Sequence, residues 1–170
     1  MTRIDPPLIA AERESLVAWL EYHRETLAMK CEGLTAEQLC RRSVPPSTMT
    51  LIGLVRHMAE VERGWFGRCI GGASEADAPP IFYDAETNID GDFDDVDPAT
   101  VDADLATWRA EIARSDEVLA QVDLDDVRHH DRWDEDLDVR WVVVHMIEEY
   151  ARHNGHADFL REAIDGETGD

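Results

Sequence analysis

The chain has 170 residues, 44% of them apolar, with 38 acidic against 16 basic side chains and a formal net charge of −22. That length supports a single domain, residues 1–170, with a real core, and the apolar share excludes a disordered chain. The acidic surplus excludes nucleic-acid binding and an anionic membrane surface, and no apolar run approaches the roughly 20 residues of a membrane span.

The first predicted helix begins near Asp5-Pro6-Pro7, a cap-and-proline start, and runs to a stop at Gly33. Leu8, Ala11, Ser15, Leu16, Ala18, Trp19, Leu20, Tyr22 and Leu27 form its apolar or small-residue stripe. A short helix follows in "TAEQLCRR", where Thr35 and Gln38 make a capping box. The second long helix covers about residues 48–70, with Leu51, Leu54, Val55, Met58, Val61, Trp65 and Phe66 inward, and carries His57. Gly71-Gly72 ends it.

Residues 71–97 are acidic and rich in Gly, Pro and Asp. A connection this long inside a compact domain is usually functional or mobile, and a lid is its expected role. Its "ETNIDGDFDDVD" matches a calcium loop poorly: Glu86 stands at position 1 and Asp97 at position 12, and no helix directly precedes it. A solvated acidic loop is the better reading.

A third helix starts near Asp97-Pro98 and runs to about Val122, with Val101, Leu105, Trp108, Ile112 and Leu119 inward. The link "DLDDVRHHDRWDEDLD" leads to a fourth, "VRWVVVHMIEEYARHNGHADFLREAI", ended by Gly166. No strand pair is evident. The expected fold is therefore all-α, a four-helix bundle with a long crossover loop and ligand sites built from facing helices.

The fourth helix carries the chemistry. His145, Glu149 and His153 stand at i, i+4 and i+8, and each step of four turns about 40° around the helix. Glu149 and His153 can chelate one ion, and a third ligand must come from another helix. His57, inside the apolar run "LIGLVRHMAEV", is the best candidate, since a free polar side chain there is costly. Two imidazoles and a carboxylate suit an open zinc site, or iron and other divalent ions. Spacing alone leaves open that His57 is a hydrogen-bonded core histidine and that the fourth helix is merely polar.

Competing motifs are missing: there is no HExxH, no pair of Glu-x-x-His motifs for a di-iron site, no phosphate loop and no Gly-x-Ser-x-Gly elbow. Arg56, Arg63 and Arg152 flank the proposed ligands and could hold polar groups of a substrate, although pairing with nearby Glu is the plainer reading. Trp65, Trp108 and Trp141 read as core. Cys31, Cys40 and Cys69 are odd in number, match no zinc knuckle and follow no signal peptide, so a reduced cytoplasm is expected.

"LVRHMAEVERGWF" and "HMIEEYARHNGHADFLREAIDG", with "AERESLVAWLEYHRETLAMKCEGLTAEQL" and "VPPSTMTLIGL", resemble the DinB-like superfamily and its actinobacterial mini-circle-protein-like branch. The resemblance spans nearly the whole chain; the acidic loop is the variable part. It implies a four-helix bundle with a long crossover, acting as a homodimer. Carried over residue by residue, it implies a metal triad of His57, Glu149 and His153, with His145 and His156 outside it. Many relatives have His where this chain has Glu149; the mycothiol-dependent maleylpyruvate isomerase type has Glu. The resemblance also implies a thiol-dependent transferase or isomerase holding one divalent ion, zinc first, with nickel, iron or manganese as alternatives. The Arg-rich, Lys-poor composition, with Lys30 the single Lys, fits a host that uses mycothiol. The leading expectation is a metal-dependent mycothiol S-transferase acting on an electrophile. The competing readings are a metal-dependent hydrolase and a non-enzymatic helical protein with a vestigial site.

Overall fold

The computed structural model describes residues 3–169. Its elements in chain order are α1 (Glu12–Cys31), α2 (Ala36–Leu39), α3 (Leu51–Glu62), a π-helical extension of α3 (Arg63–Ile70), α4 (Gly91–Asp94), α5 (Val101–Leu119), β1 (Val127–His130), β2 (Glu135–Asp138) and α6 (Val139–Asp165). The protein is mostly helical. α6 packs on α1 and α3, and α3 packs on α5, so the 71–100 connection joins two helices that pack on each other.

The helices end where local chemistry ends them. Thr50 caps α3 by accepting the Gly53 N–H, and Asp138 caps α6 by accepting the Trp141 N–H at 2.7 Å. Gly166 closes α6 in the left-handed conformation at φ 83°, with its N–H bonded to the Glu162 carbonyl. The capping box at Thr35 and Gln38 is formed in full. Asp138 is at once the last residue of β2 and the cap of α6, so no residue separates strand from helix.

The core lies between α3 and α6. Leu51, Leu54, Val55, Met58 and Phe66 from one meet Val142, Val143, Met146, Tyr150 and Leu160 from the other, with Leu20, Leu27, Trp108 and Leu119 closing the sides. Each such side chain contributes about 1.5–3 kcal/mol by leaving water.

Three expectations are corrected. First, α1 starts at Glu12, and residues 5–10 are not helical; Leu8 is fully exposed rather than inward. Pro7 biases Pro6 toward extended backbone, and no neighbouring surface rewards a helical turn there. Second, the link after α5 holds an antiparallel hairpin, pairing Val127 with Asp138 and His130 with Glu135. Its strands are too polar and too short to show period-two patterning. Third, Trp108 is core, but Trp141 is 42% exposed and Trp65 half-buried, because both face the hairpin.

Candidate metal centre

His57 projects from α3, and Glu149 and His153 project from α6. One ligand atom from each lies within 4.8 Å of the other two. The His57 and His153 rings meet edge to face with centroids 4.7 Å apart, and His153 Nε2 is 3.4 Å from a Glu149 oxygen. His153 is buried, while His57 and Glu149 are half-buried, so the cluster opens on one side.

The second nitrogen of each ring is engaged. His57 Nδ1 lies 2.9 Å from Asp92 Oδ2. A carboxylate only accepts, so His57 donates from Nδ1, and in the neutral ring this leaves the lone pair on Nε2. A carboxylate behind a histidine in this way fixes both tautomer and ring orientation, as it does behind metal-bound imidazoles. His153 Nδ1 is 3.3 Å from His156 Nδ1, which leaves Nε2 toward Glu149. Burial first, then the positive charge of neighbouring His57, His156 and Arg152, pushes the His153 imidazole down to about 3. It is therefore neutral near pH 7, the form that can coordinate.

Asp92 reaches His57 because of what α3 carries around it. Gly53, one turn before His57, lets the backbone of α4 close in: a β-carbon there would meet Phe93 Cα at 3.3 Å. The Phe93 ring then stacks on His57 at 4.7 Å. Arg56 donates to the carbonyls of Gly91 and Asp95 and covers the Phe82 ring, while Glu60 accepts from the Ile81 and Phe82 N–H groups at 2.5 and 2.6 Å. Arg63 donates to the Pro79 carbonyl at 2.8 Å and to Glu111 at 2.9 Å. Residues 79–95 are thus clamped to α3 and are not a free loop.

Of the three arginines expected near the ligands, Arg56 and Arg63 hold this crossover segment. Arg152 alone touches the triad, pairing with Glu148 and lying 4.0 Å from Glu149. His145 Nε2 lies 3.5 Å from the other Glu149 oxygen, and with Glu148 it forms a second cluster that shares Glu149. Of the remaining histidines, His23 sits by Asn154, and His129 and His130 are on the hairpin.

The model of the mycothiol S-transferase family matches residues 15–166. The chain belongs to that family. No curated protein matches it. Among solved structures, a conserved protein from Enterococcus faecalis is similar, with 16% identity and a TM-score of 0.70 over 94% of this chain and 100% of that one. At that identity the likeness shows the fold alone.

In this member of the mycothiol S-transferase family, sequence reasoning missed Asp92. It lies 35 residues from His57 in a stretch crowded with acids, and nothing local marks it out. The available signal was Gly53: a glycine inside a strongly apolar helix means that another backbone approaches. Gly155 carries no such meaning, since a β-carbon there would meet nothing within 4 Å.

Proposed function

We propose that this chain is a divalent-metal-dependent mycothiol S-transferase, a single domain built as a four-helix bundle of the DinB-like type with a long crossover loop. The observation that carries the reading is the convergence of two imidazoles and one carboxylate from facing helices, with Asp92 behind His57, in a chain of the mycothiol S-transferase family. The donor set fits the ion: two lone-pair nitrogens and an anionic oxygen meet on the open side of the cluster, as in a three-ligand catalytic zinc site. Zinc is the expected ion, with nickel, iron or manganese as alternatives.

His57, Glu149 and His153 would hold the ion. A bound divalent ion supplies the Lewis acidity that keeps a thiol deprotonated at neutral pH. The chain's own groups do the rest. Asp92 fixes the His57 ring, and burial keeps His153 neutral. Arg152, more than half exposed beside Glu149, orients polar groups of the thiol. Arg56 and Arg63 act indirectly, by clamping the crossover segment that carries Asp92.

A cytoplasmic homodimer completes the proposal. No helix among the described residues is long and apolar enough to cross a membrane. Exposed Ile4, Leu8 and Ile9, beside a groove of about 930 Å³ along α1, offer apolar surface to a second copy.

The test is to incubate the metal-loaded protein with mycothiol and monochlorobimane and follow conjugate formation. Conjugation should require both the thiol and the ion. Electrophile turnover that ignores the thiol would instead support metal-assisted hydrolysis. In parallel, His57→Ala and His153→Ala should lose stoichiometric metal by elemental analysis while remaining folded. Unchanged metal content would overturn the triad.

A further inference from the structure

Beside the metal cluster stands a group of rings that the proposed triad does not use. Trp65 from the π-helical extension stacks on His130 of β1 at 4.9 Å and meets Trp133 of the hairpin turn at 5.3 Å. It also meets Trp141 at 5.5 Å and His145 at 4.7 Å, both on α6. Trp141 stacks on His145 at 5.0 Å. The wall reaches the triad through His145, whose Nε2 lies 3.5 Å from Glu149. It is open to solvent, with Trp133 49% and Trp141 42% exposed.

Its surroundings are acidic, in a chain of net charge −22. On the hairpin, Glu135 pairs with His130 on the wall's side and Arg128 shares that face, while Asp131, Asp134 and Asp136 gather round His129 on the other face and Asp138 caps α6. Glu148 and Glu149 stand on the α6 side, against Arg152. The indole faces are themselves negative and prefer electron-poor rings or cations. The wall thus combines stacking surface, acidic surroundings and direct continuity with the ligand cluster.

We infer that this aromatic wall is the subsite for the electrophile, and that it takes a flat aromatic group that is uncharged or cationic and rejects an anionic one. The inference rests on the transferase reading for the word electrophile, but the binding it asserts needs neither thiol nor turnover. Trp133 and Trp141 supply the accessible stacking surface, and Trp65, packed against His130, Trp133, Trp141 and His145, backs it. A bound ring lies within reach of whatever the triad holds.

Two unreactive probes test it: 1,3-dinitrobenzene and its anionic analogue 3,5-dinitrobenzoate. Each is titrated into the metal-loaded protein without thiol, and the five indole N–H resonances are followed by NMR. The neutral probe should shift those of Trp65, Trp133 and Trp141, and leave Trp19 on α1 and buried Trp108 in place. Trp133→Ala should weaken its binding about 3- to 10-fold, with Trp133→Phe restoring most of the loss. Trp133 lies on an exposed turn, so both variants should retain the helical circular dichroism. Unchanged affinity in Trp133→Ala, equal or tighter binding of the benzoate, or shifts led by Trp19 would each overturn the subsite. A protein that binds the neutral probe this way yet fails to conjugate mycothiol would lose the transferase reading and keep the aromatic site.

Discussion

Two polar clusters bridge α3 and α6, and they are built on opposite terms. In one, Arg24 donates from Nε and Nη2 to both oxygens of Glu62 at 2.8 Å, Tyr150 donates to Glu62 at 2.8 Å, and Trp108 donates to the Tyr150 hydroxyl at 2.9 Å. Every donor has an acceptor, and Glu62 and Tyr150 are fully buried. In the other, five residues earlier on α3 and flanking Tyr150 on α6, two imidazoles and a carboxylate face one another. Glu149 lies 3.4 Å from His153 Nε2 and 3.5 Å from His145 Nε2, longer contacts than those of the first cluster. The first cluster is complete as folded; the second is a candidate for completion by a cation. Buried polar groups that satisfy one another at short range specify a fold, whereas a looser, half-open polar cluster leaves room for a ligand.

The comparison breaks most visibly at Arg24. Arg24→Ala leaves the Glu62 carboxylate buried with its ion-pair partner gone and should cost about 3–5 kcal/mol in chemical denaturation. His57→Ala in the metal-free protein should cost far less. If the two variants are equally destabilised, the distinction between the clusters fails.

Protonation comes next. The His153 imidazole sits at about 3 in the fold, against 6.5 for the free side chain. Between those values the unfolded chain binds the extra proton. The contribution of His153 is therefore full above pH 6.5 and is lost as pH falls toward 3, by at most about 1.4 kcal/mol per pH unit. Denaturation of the metal-free protein from pH 7 to 4.5 should show this slope, and His153→Gln should flatten it. Parallel pH profiles for the two proteins would contradict it.

Asp92→Asn probes the open cluster from behind. An amide can no longer hold the imidazolyl Nδ1–H as a carboxylate does, and metal affinity should drop about 10- to 100-fold with the fold intact. Competition against a chelator gives the number, and wild-type affinity would remove Asp92 from the site. The smallest effect is expected from His145→Ala, which should retain one ion per chain and change stability by less than about 1 kcal/mol. Loss of the ion there would shift the centre toward the cluster of His145, Glu148 and Glu149.

Much of this was legible in the sequence because it is written locally. The 3.6-residue apolar periods of α3 and α6, the capping box at Thr35 and the Gly166 stop each depend on neighbours within a few positions. The i, i+4 spacing of Glu149 and His153 is local too, while pairing them with His57 rested on its place in an apolar run and on a family resemblance. What was not legible depends on distant partners. Asp92 gains its role only once the crossover folds back over Gly53. The hairpin has no apolar alternation to announce it, since its turn is held to the body by His130 and Trp133 stacking around Trp65. Trp65 and Trp141 look like core from their helical spacing, and only the hairpin's position explains why they stay near the surface.

The direct passage from β2 into α6 has a mechanical consequence. A hairpin on a loop can swing; this one cannot, because Asp138 ends the strand and caps the helix in the same step. The junction is also riveted from below. The Val139 and Arg140 N–H groups donate to the Asp126 and Leu124 carbonyls, and the Arg140 side chain grips Glu12 and Asp125. The turn carrying Trp133 therefore rides on a stiff arm continuous with the helix that bears Glu149 and His153. Displacing that turn means bending a strand or rolling a helix, so the packing of Trp133 against Trp65 and Trp141 is set at folding.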